Sequence, residues 1–294
     1  MEERTIAVTG GNVWAGATGT GDGIPLLVLH GGPGFPHHYL RPLSQLGGDR
    51  KVVFYDQLGC GGSDRPEDET LWTLQRSLAE VEAVRQAFGL DSFHLFGSSW
   101  GGLLALEYAL SQPQGLVSLV LSSPLVNVPH WRNDAKELFD QLPESDRHII
   151  ESHEAKGYVD CPEYTASVLT FWKRHVCRIN PWPDDLEEAY AGFGAGPYRT
   201  MWGPSEFTQT GNLSDVDPSP RLHEIGVPAL WTCGHHDEAR PKSTALFAAL
   251  MPNSEFVEFK DSSHMPHFEE SKAYLELIRD FLIRVDHDRK LVSK

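Results

Sequence analysis

Cysteine is scarce: Cys60, Cys161, Cys177 and Cys233 are the only four in 294 residues, and no two of them form a C-x-x-C pair. That spacing argues against a disulfide scaffold and a zinc site and leaves incidental, reduced thiols. Long apolar runs are missing too. Nothing approaches the roughly 20 consecutive apolar residues of a membrane span, and the opening stretch MEERTIAVTGGNVWAG has no basic segment leading into an apolar one. A cytoplasmic chain with no membrane partner is therefore expected. Basic residues are in deficit, 25 against 41 acidic, for a formal net charge of −16. Such a field repels nucleic acid and anionic lipid. There is no internal repeat and no low-complexity segment, and 40% hydrophobic with 22% charged residues is the composition of an ordinary folded domain rather than a disordered one.

What is present is organised around Ser92 to Pro113, SFHLFGSSWGGLLALEYALSQP. Phe93, Leu95 and Phe96 form a short strand-like run. Leu103, Leu104, Leu106, Tyr108 and Leu110 begin a helical pattern that Pro113 ends. Between them lies Gly97-Ser98-Ser99-Trp100-Gly101, a G-x-S-x-G at a strand-to-helix corner. At such a corner the central residue is held strained, with its hydroxyl clear of the sheet edge. The following N–H, that of Trp100, opens a helix, where unpaired donors favour a developing negative charge.

The remaining chain supplies alternating strands and helices. Residues 4 to 20 suit an edge hairpin. Ile24 to Leu29, Lys51 to Tyr55, Leu116 to Leu121, Val227 to Cys233 and Phe256 to Phe259 read as strands, and Thr70 to Phe88 and Tyr274 to Val285 read as helices. Nearly unbroken apolar strands alternating with helices imply a mostly parallel central sheet with helices on both faces, whose ligands gather at the carboxyl ends of the strands. From Val126 to Asp217 the alternation stops. This aromatic, polar-helical stretch is expected to be an inserted helical cap, with breaks at Pro181-Trp182-Pro183 and from Gly192 to Pro197. The expected organisation is thus a first core part over 1–125, a cap over 126–217 and a second core part over 218–294.

A serine nucleophile needs a base, itself oriented by a carboxylate. Among 14 histidines, His264 is preferred because it follows the last strand in a short polar loop, with His267 its nearest rival. Asp237, just past the penultimate strand, is the expected acid, and Asp261 is the weaker alternative. The order serine, acid, histidine suits this architecture. His235 and His236 adjoin Asp237, but neighbouring loop histidines point different ways, so neither a metal nor a cofactor is expected. One oxyanion donor would be the N–H of Trp100. The other would come from His30-Gly31-Gly32-Pro33-Gly34, through Gly32 or Gly31. Phe35 and Trp100 are expected to rim the pocket.

Taken together, His30 to Gly34, Asp56 to Ser63 (within DQLGCGGSD), Gly97 to Gly102, Gly234 to Asp237 and Ser263-His264 resemble the α/β-hydrolase fold, and within it the proline iminopeptidases and related tricorn-interacting aminopeptidases. The resemblance implies a serine peptidase that releases an N-terminal proline or other small residue from short peptides. Trp202-Gly203-Pro204-Ser205-Glu206-Phe207 is similar to the family segment whose glutamate holds the substrate's free α-amino group, which implies substrate-binding roles for Glu206 and Trp202. Glu238, next to the acid, is implied to share in binding that ammonium. An amidase or esterase acting on amino-acid amides or other small acyl compounds stays open as an alternative. Dehalogenase and epoxide hydrolase chemistry would need an aspartate where Ser99 stands. The expected partner is a small peptide or amino-acid amide, and the chain is expected to be a monomer or dimer.

Overall fold

The computed structural model describes residues 2–292. An antiparallel hairpin, β1 (Glu2–Val8) and β2 (Gly11–Thr18), leads into β3 (Gly23–Leu29). A run of 3-10 turns (His37–Gly48) follows, then β4 (Arg50–Tyr55), α1 (Leu74–Ala87), β5 (Phe93–Ser98), α2 (Trp100–Leu110) and β6 (Leu116–Ser122). Five helices precede the next strand: α3 (Val128–Phe139), α4 (Glu144–Glu154), α5 (Pro162–His175), α6 (Asp184–Ala191) and α7 (Ala195–Met201). The chain closes with β7 (Ala229–Gly234), α8 (Pro241–Ala248), β8 (Ser254–Phe259), α9 (Pro266–Glu269) and α10 (Ser271–Val292).

These strands form one eight-stranded sheet in the order β1-β2-β4-β3-β5-β6-β7-β8. It is parallel from β4 onward, and β2 meets β4 antiparallel. The reason lies in the strand residues. Leu27, Leu29, Leu95, Leu119 and Leu121 face one core cluster, while Leu26, Val28, Phe96 and Val120 face the other. A strand buried on both faces has no polar side to offer, hence the unbroken apolar runs. The expected hairpin, the parallel sheet and the helices on both faces are all present.

Chain order reverses at β3. From it the chain crosses to β4 on one side, then returns to β5 on the other, and β3 pairs with both. Loops leaving β3 and β5 therefore diverge, opening a crevice at their carboxyl ends.

The local boundaries shift where side chains intervene. The helix expected from Thr70 starts later because Thr73 caps it, its side chain accepting from the Arg76 N–H. Between α6 and α7 the break ends at Gly194, and Pro197 lies in the first turn of α7, where a missing N–H is harmless. Among the described residues, no helix is long and apolar enough to cross a membrane.

Candidate active site

Ser99 joins β5 to α2 with φ 55° and ψ −120°, a conformation that costs a residue with a side chain about 1–3 kcal/mol. Close packing enforces it. A Cβ on Gly101 would lie 2.3 Å from the Leu29 carbonyl oxygen and 2.7 Å from that of His30, so only glycine lets α2 begin this near the end of β3. The Ser99 N–H donates to the Ser122 carbonyl at 3.1 Å, which ties the corner to β6. Trp100 is the first residue of α2, so its N–H has no acceptor within the helix. Its ring, however, does not rim a pocket. It is fully buried, and the indole N–H donates to Gln57 Oε1 at 2.8 Å, because an indole in the core needs one acceptor and Gln57 supplies it.

The loop after β3 lies alongside. A Cβ on Gly31 would come within 3.1 Å of the Ser99 Cβ. The Gly31 N–H is already spent, donating to the Tyr39 hydroxyl at 2.8 Å. Gly32 holds φ +108°, and a Cβ there would meet the Gly34 nitrogen at 2.5 Å. Its own N–H has no such acceptor among the described residues.

Asp237 and His264 come from the loops after β7 and β8. His264 Nδ1 donates to Asp237 Oδ1 at 2.7 Å. The same carboxylate accepts the Ala239 N–H on Oδ1 at 2.8 Å and the Gly234 N–H on Oδ2 at 3.1 Å. With three donors converging, the carboxylate is locked and the imidazole proton sits on Nδ1. That leaves Nε2 as a lone pair, 3.7 Å from Glu238 Oε1. One backbone oxygen braces both loops: the His175 carbonyl accepts from the N–H groups of His264 at 3.2 Å and Glu238 at 3.4 Å.

Ser99, Gly31, Gly32, Phe35, Tyr39 and His264 line a common cavity of about 440 Å³, whose far walls come from α5 and α7 and the segments beside them. Glu206 and Glu238 line it too. Glu206 accepts the Tyr198 hydroxyl at 2.7 Å. Burial raises its pKa against the pull of Tyr198 and His264. Burial also pushes Glu238 well above the carboxylate range, and the charges of Glu206 and Asp237 push it further. Glu238 Oε2 is buried without a hydrogen-bond partner. Buried Glu238 and half-buried Glu206 share this end of the cavity, and Arg199, which also lines the cavity, is paired instead with Asp160.

A hydroxyl raised on a strained corner, an oriented imidazole and unpaired backbone N–H groups are the equipment of acyl transfer through a covalent intermediate. The alpha/beta hydrolase fold model matches residues 24–271. A proline iminopeptidase of Heyndrickxia coagulans is 44% identical over 282 residues, spanning 95% of this chain and 98% of the relative. The chain belongs to the proline iminopeptidase family of α/β hydrolases. Two solved structures agree closely with its shape. One is a proline iminopeptidase from Mycobacterium smegmatis, with TM-score 0.88, 34% identity and coverage of 98% of this chain and 100% of that one. The other is VinJ, with TM-score 0.93, 34% identity and coverage of 97% and 99%.

Within this proline iminopeptidase family member the rival side chains lie elsewhere. His267 is wholly buried, packed against Tyr39, Phe268 and Tyr274, and burial lowers its pKa to about 3. Asp261 is exposed. Trp202 does not line the cavity. It is buried edge-on to Trp131 and stands behind Glu206. Sequence reasoning missed Tyr39, Tyr198 and Gln57, whose roles depend on contacts across 8 to 43 positions. Gln57 carried a signal in its place inside the DQLGCGGSD motif, and Tyr198 a weaker one as an aromatic of the 126–217 stretch, some of whose rings were expected to line the site.

Proposed function

We propose that this chain is a serine aminopeptidase that releases an N-terminal proline or another small residue from short peptides, with Ser99, Asp237 and His264 as its triad. The observation that carries the reading is the pair formed by buried Glu238 and half-buried Glu206 on the wall of the cavity that also holds Ser99, one carboxyl oxygen of Glu238 lacking any partner. Desolvated carboxylates bind a cation strongly, and a substrate's α-ammonium is a cation beside the scissile carbonyl. A plain esterase has no need of them.

In this mechanism Ser99 Oγ attacks the carbonyl carbon and passes its proton to His264 Nε2. The oxyanion lies between the N–H groups of Trp100 and Gly32, since that of Gly31 is engaged by Tyr39. His264 then protonates the leaving amine, and water, activated by the same imidazole, hydrolyses the acyl-enzyme. Residues 126–217 act as the cap that closes the cavity and limits it to short substrates. Four free cysteines suit a cytoplasmic, reducing setting.

The test compares prolyl 4-nitroanilide with its N-acetyl analogue. Glu206→Gln is expected to lower kcat/KM for the free amine by about 30-fold or more, the cost of about 2 kcal/mol upward for losing one partner of a buried charge pair, and to leave the blocked substrate nearly unaffected. Equal losses on both would remove the ammonium-binding role.

A pH dependence follows from the same pair. Both pKa values are raised, so the carboxyls gain protons at higher pH than ordinary glutamates do, and the pair titrates as a unit. As pH falls through that ionisation, the negative charge facing the ammonium is lost. KM for prolyl 4-nitroanilide should therefore rise toward acid pH, and Glu238→Gln should move the midpoint down by removing the repulsion. A KM that is flat with pH contradicts this assignment.

A further inference from the structure

The segment Asp56 to Asp64 contributes nothing to the triad, yet one of its residues touches both halves of the oxyanion site. Gln57 is 4% exposed, and each of its polar atoms has a hydrogen-bond partner. Its backbone N–H donates to His30 Nε2 at 2.9 Å, its side-chain Nε2 donates to the His30 carbonyl at 3.0 Å, and its Oε1 accepts the Trp100 indole N–H at 2.8 Å. Its own carbonyl accepts the Cys60 N–H at 3.3 Å.

These bonds determine the hydrogens. An indole can only donate and a carbonyl can only accept, so the Gln57 amide has one allowed orientation; flipping it would set donor against donor at the indole and acceptor against acceptor at the carbonyl. A backbone N–H can only donate as well, so His30 Nε2 is unprotonated. Its proton lies on Nδ1, which donates to the Gly31 carbonyl at 2.9 Å. Burial supports this neutral form by lowering the His30 pKa to about 4.

We propose that Gln57 is a positioning residue that holds the two oxyanion donors, the N–H groups of Gly32 and Trp100, at a fixed separation. It grips the end of β3 two residues before Gly32 and the indole of Trp100 itself. No other side chain among the described residues is hydrogen-bonded to both. The β3–β5 ladder joins the two strands only as far as Leu29 and Gly97; past that point Gln57 is a side-chain tie between the two segments. The inference rests on the assignment of those N–H groups to the oxyanion.

Donor geometry matters most in the transition state, and a misplacement of about 1 Å costs on the order of 100-fold in rate. Gln57→Ala is therefore expected to lower kcat about 10- to 100-fold on prolyl 4-nitroanilide and on 4-nitrophenyl acetate, with KM held within about threefold. The acetate ester needs the oxyanion site but not the glutamates. Wild-type turnover of the ester alone would overturn the peptidase reading while leaving the role of Gln57 testable. A second variant, Trp100→Phe, removes only the indole donor and should lower kcat in the same direction; if Gln57→Ala fails to fold, this variant carries the test by itself. When both fold, the double variant should lose no more than about threefold beyond the worse single, because both cut one linkage. The proposal is overturned if kcat stays within threefold of wild type, if kcat and KM change in parallel, or if the two losses simply multiply.

Discussion

Ser99→Ala is expected to reduce kcat for prolyl 4-nitroanilide by about 10⁴- to 10⁶-fold, the range for removing the nucleophile of a serine triad. KM and melting temperature should barely move. Alanine tolerates φ 55° no better and no worse than serine, so the strain at the corner is unchanged, and the Ser99 N–H to Ser122 bond that ties it to β6 is a backbone bond. Steady-state kinetics on the purified variant, with a thermal melt beside it, decide the matter. A residual rate within tenfold of wild type would mean that another group attacks the carbonyl, and the reading of the site would fail with it.

The second large effect is expected at Asp237. Asp237→Asn keeps the size of the side chain but not its bonding. The carboxylate accepts from His264 Nδ1, the Ala239 N–H and the Gly234 N–H. An amide has one oxygen, so in either orientation its NH₂ faces at least one of those donors. If it faces His264, the imidazole must take the other tautomer, its proton moves to Nε2, and the base toward Ser99 is lost. If it faces Gly234, a buried N–H is left unpaired at about 1–3 kcal/mol. The expected loss in kcat is about 10⁴-fold, as when the equivalent carboxylate of a serine protease is replaced, with a measurable drop in melting temperature. A loss below tenfold would shift the orienting role to another acid. Glu238 could not take that role, since it lies 3.7 Å from His264 Nε2 and not from Nδ1.

The contacts at Ser99 and Asp237 depend on distances that no linear reading supplies, and the residues divide accordingly. The corner at Ser99 was legible because it is local: the residues that strain it, Gly97 and Gly101, are its neighbours, and the apolar runs before and after it announce strand and helix. The parallel sheet was legible because burial on both faces leaves a one-dimensional mark. That Asp237 and His264 would meet was legible from position, each just beyond a strand end, although their contact spans 27 residues. By contrast, which of Gly31 and Gly32 keeps an unbonded N–H depended on Tyr39, whose hydroxyl accepts that of Gly31. Nothing in the spacing of a glycine loop records which N–H is already bonded.

Trp100 shows the limit most plainly. As the residue after the proposed nucleophile it was expected both to donate its N–H and to rim the pocket. The backbone half of that expectation depends on its place at a helix start, while the side-chain half depends on which way the first turn of α2 faces, and it faces the core. The aromatics of residues 126–217 behave alike: Trp172 and Phe193 line the cavity while Trp202 stands behind it, since the path of each helix and connecting loop, not composition, assigns each ring. Sequence alone determined the fold class, the nucleophile corner and the candidates for acid and base, because these are written in short-range pattern and order. Tertiary structure alone decided which N–H groups stay free, where the carboxylates lose their water and what Gln57 joins, because hydrogen-bond saturation and desolvation belong to contacts between segments the chain keeps far apart.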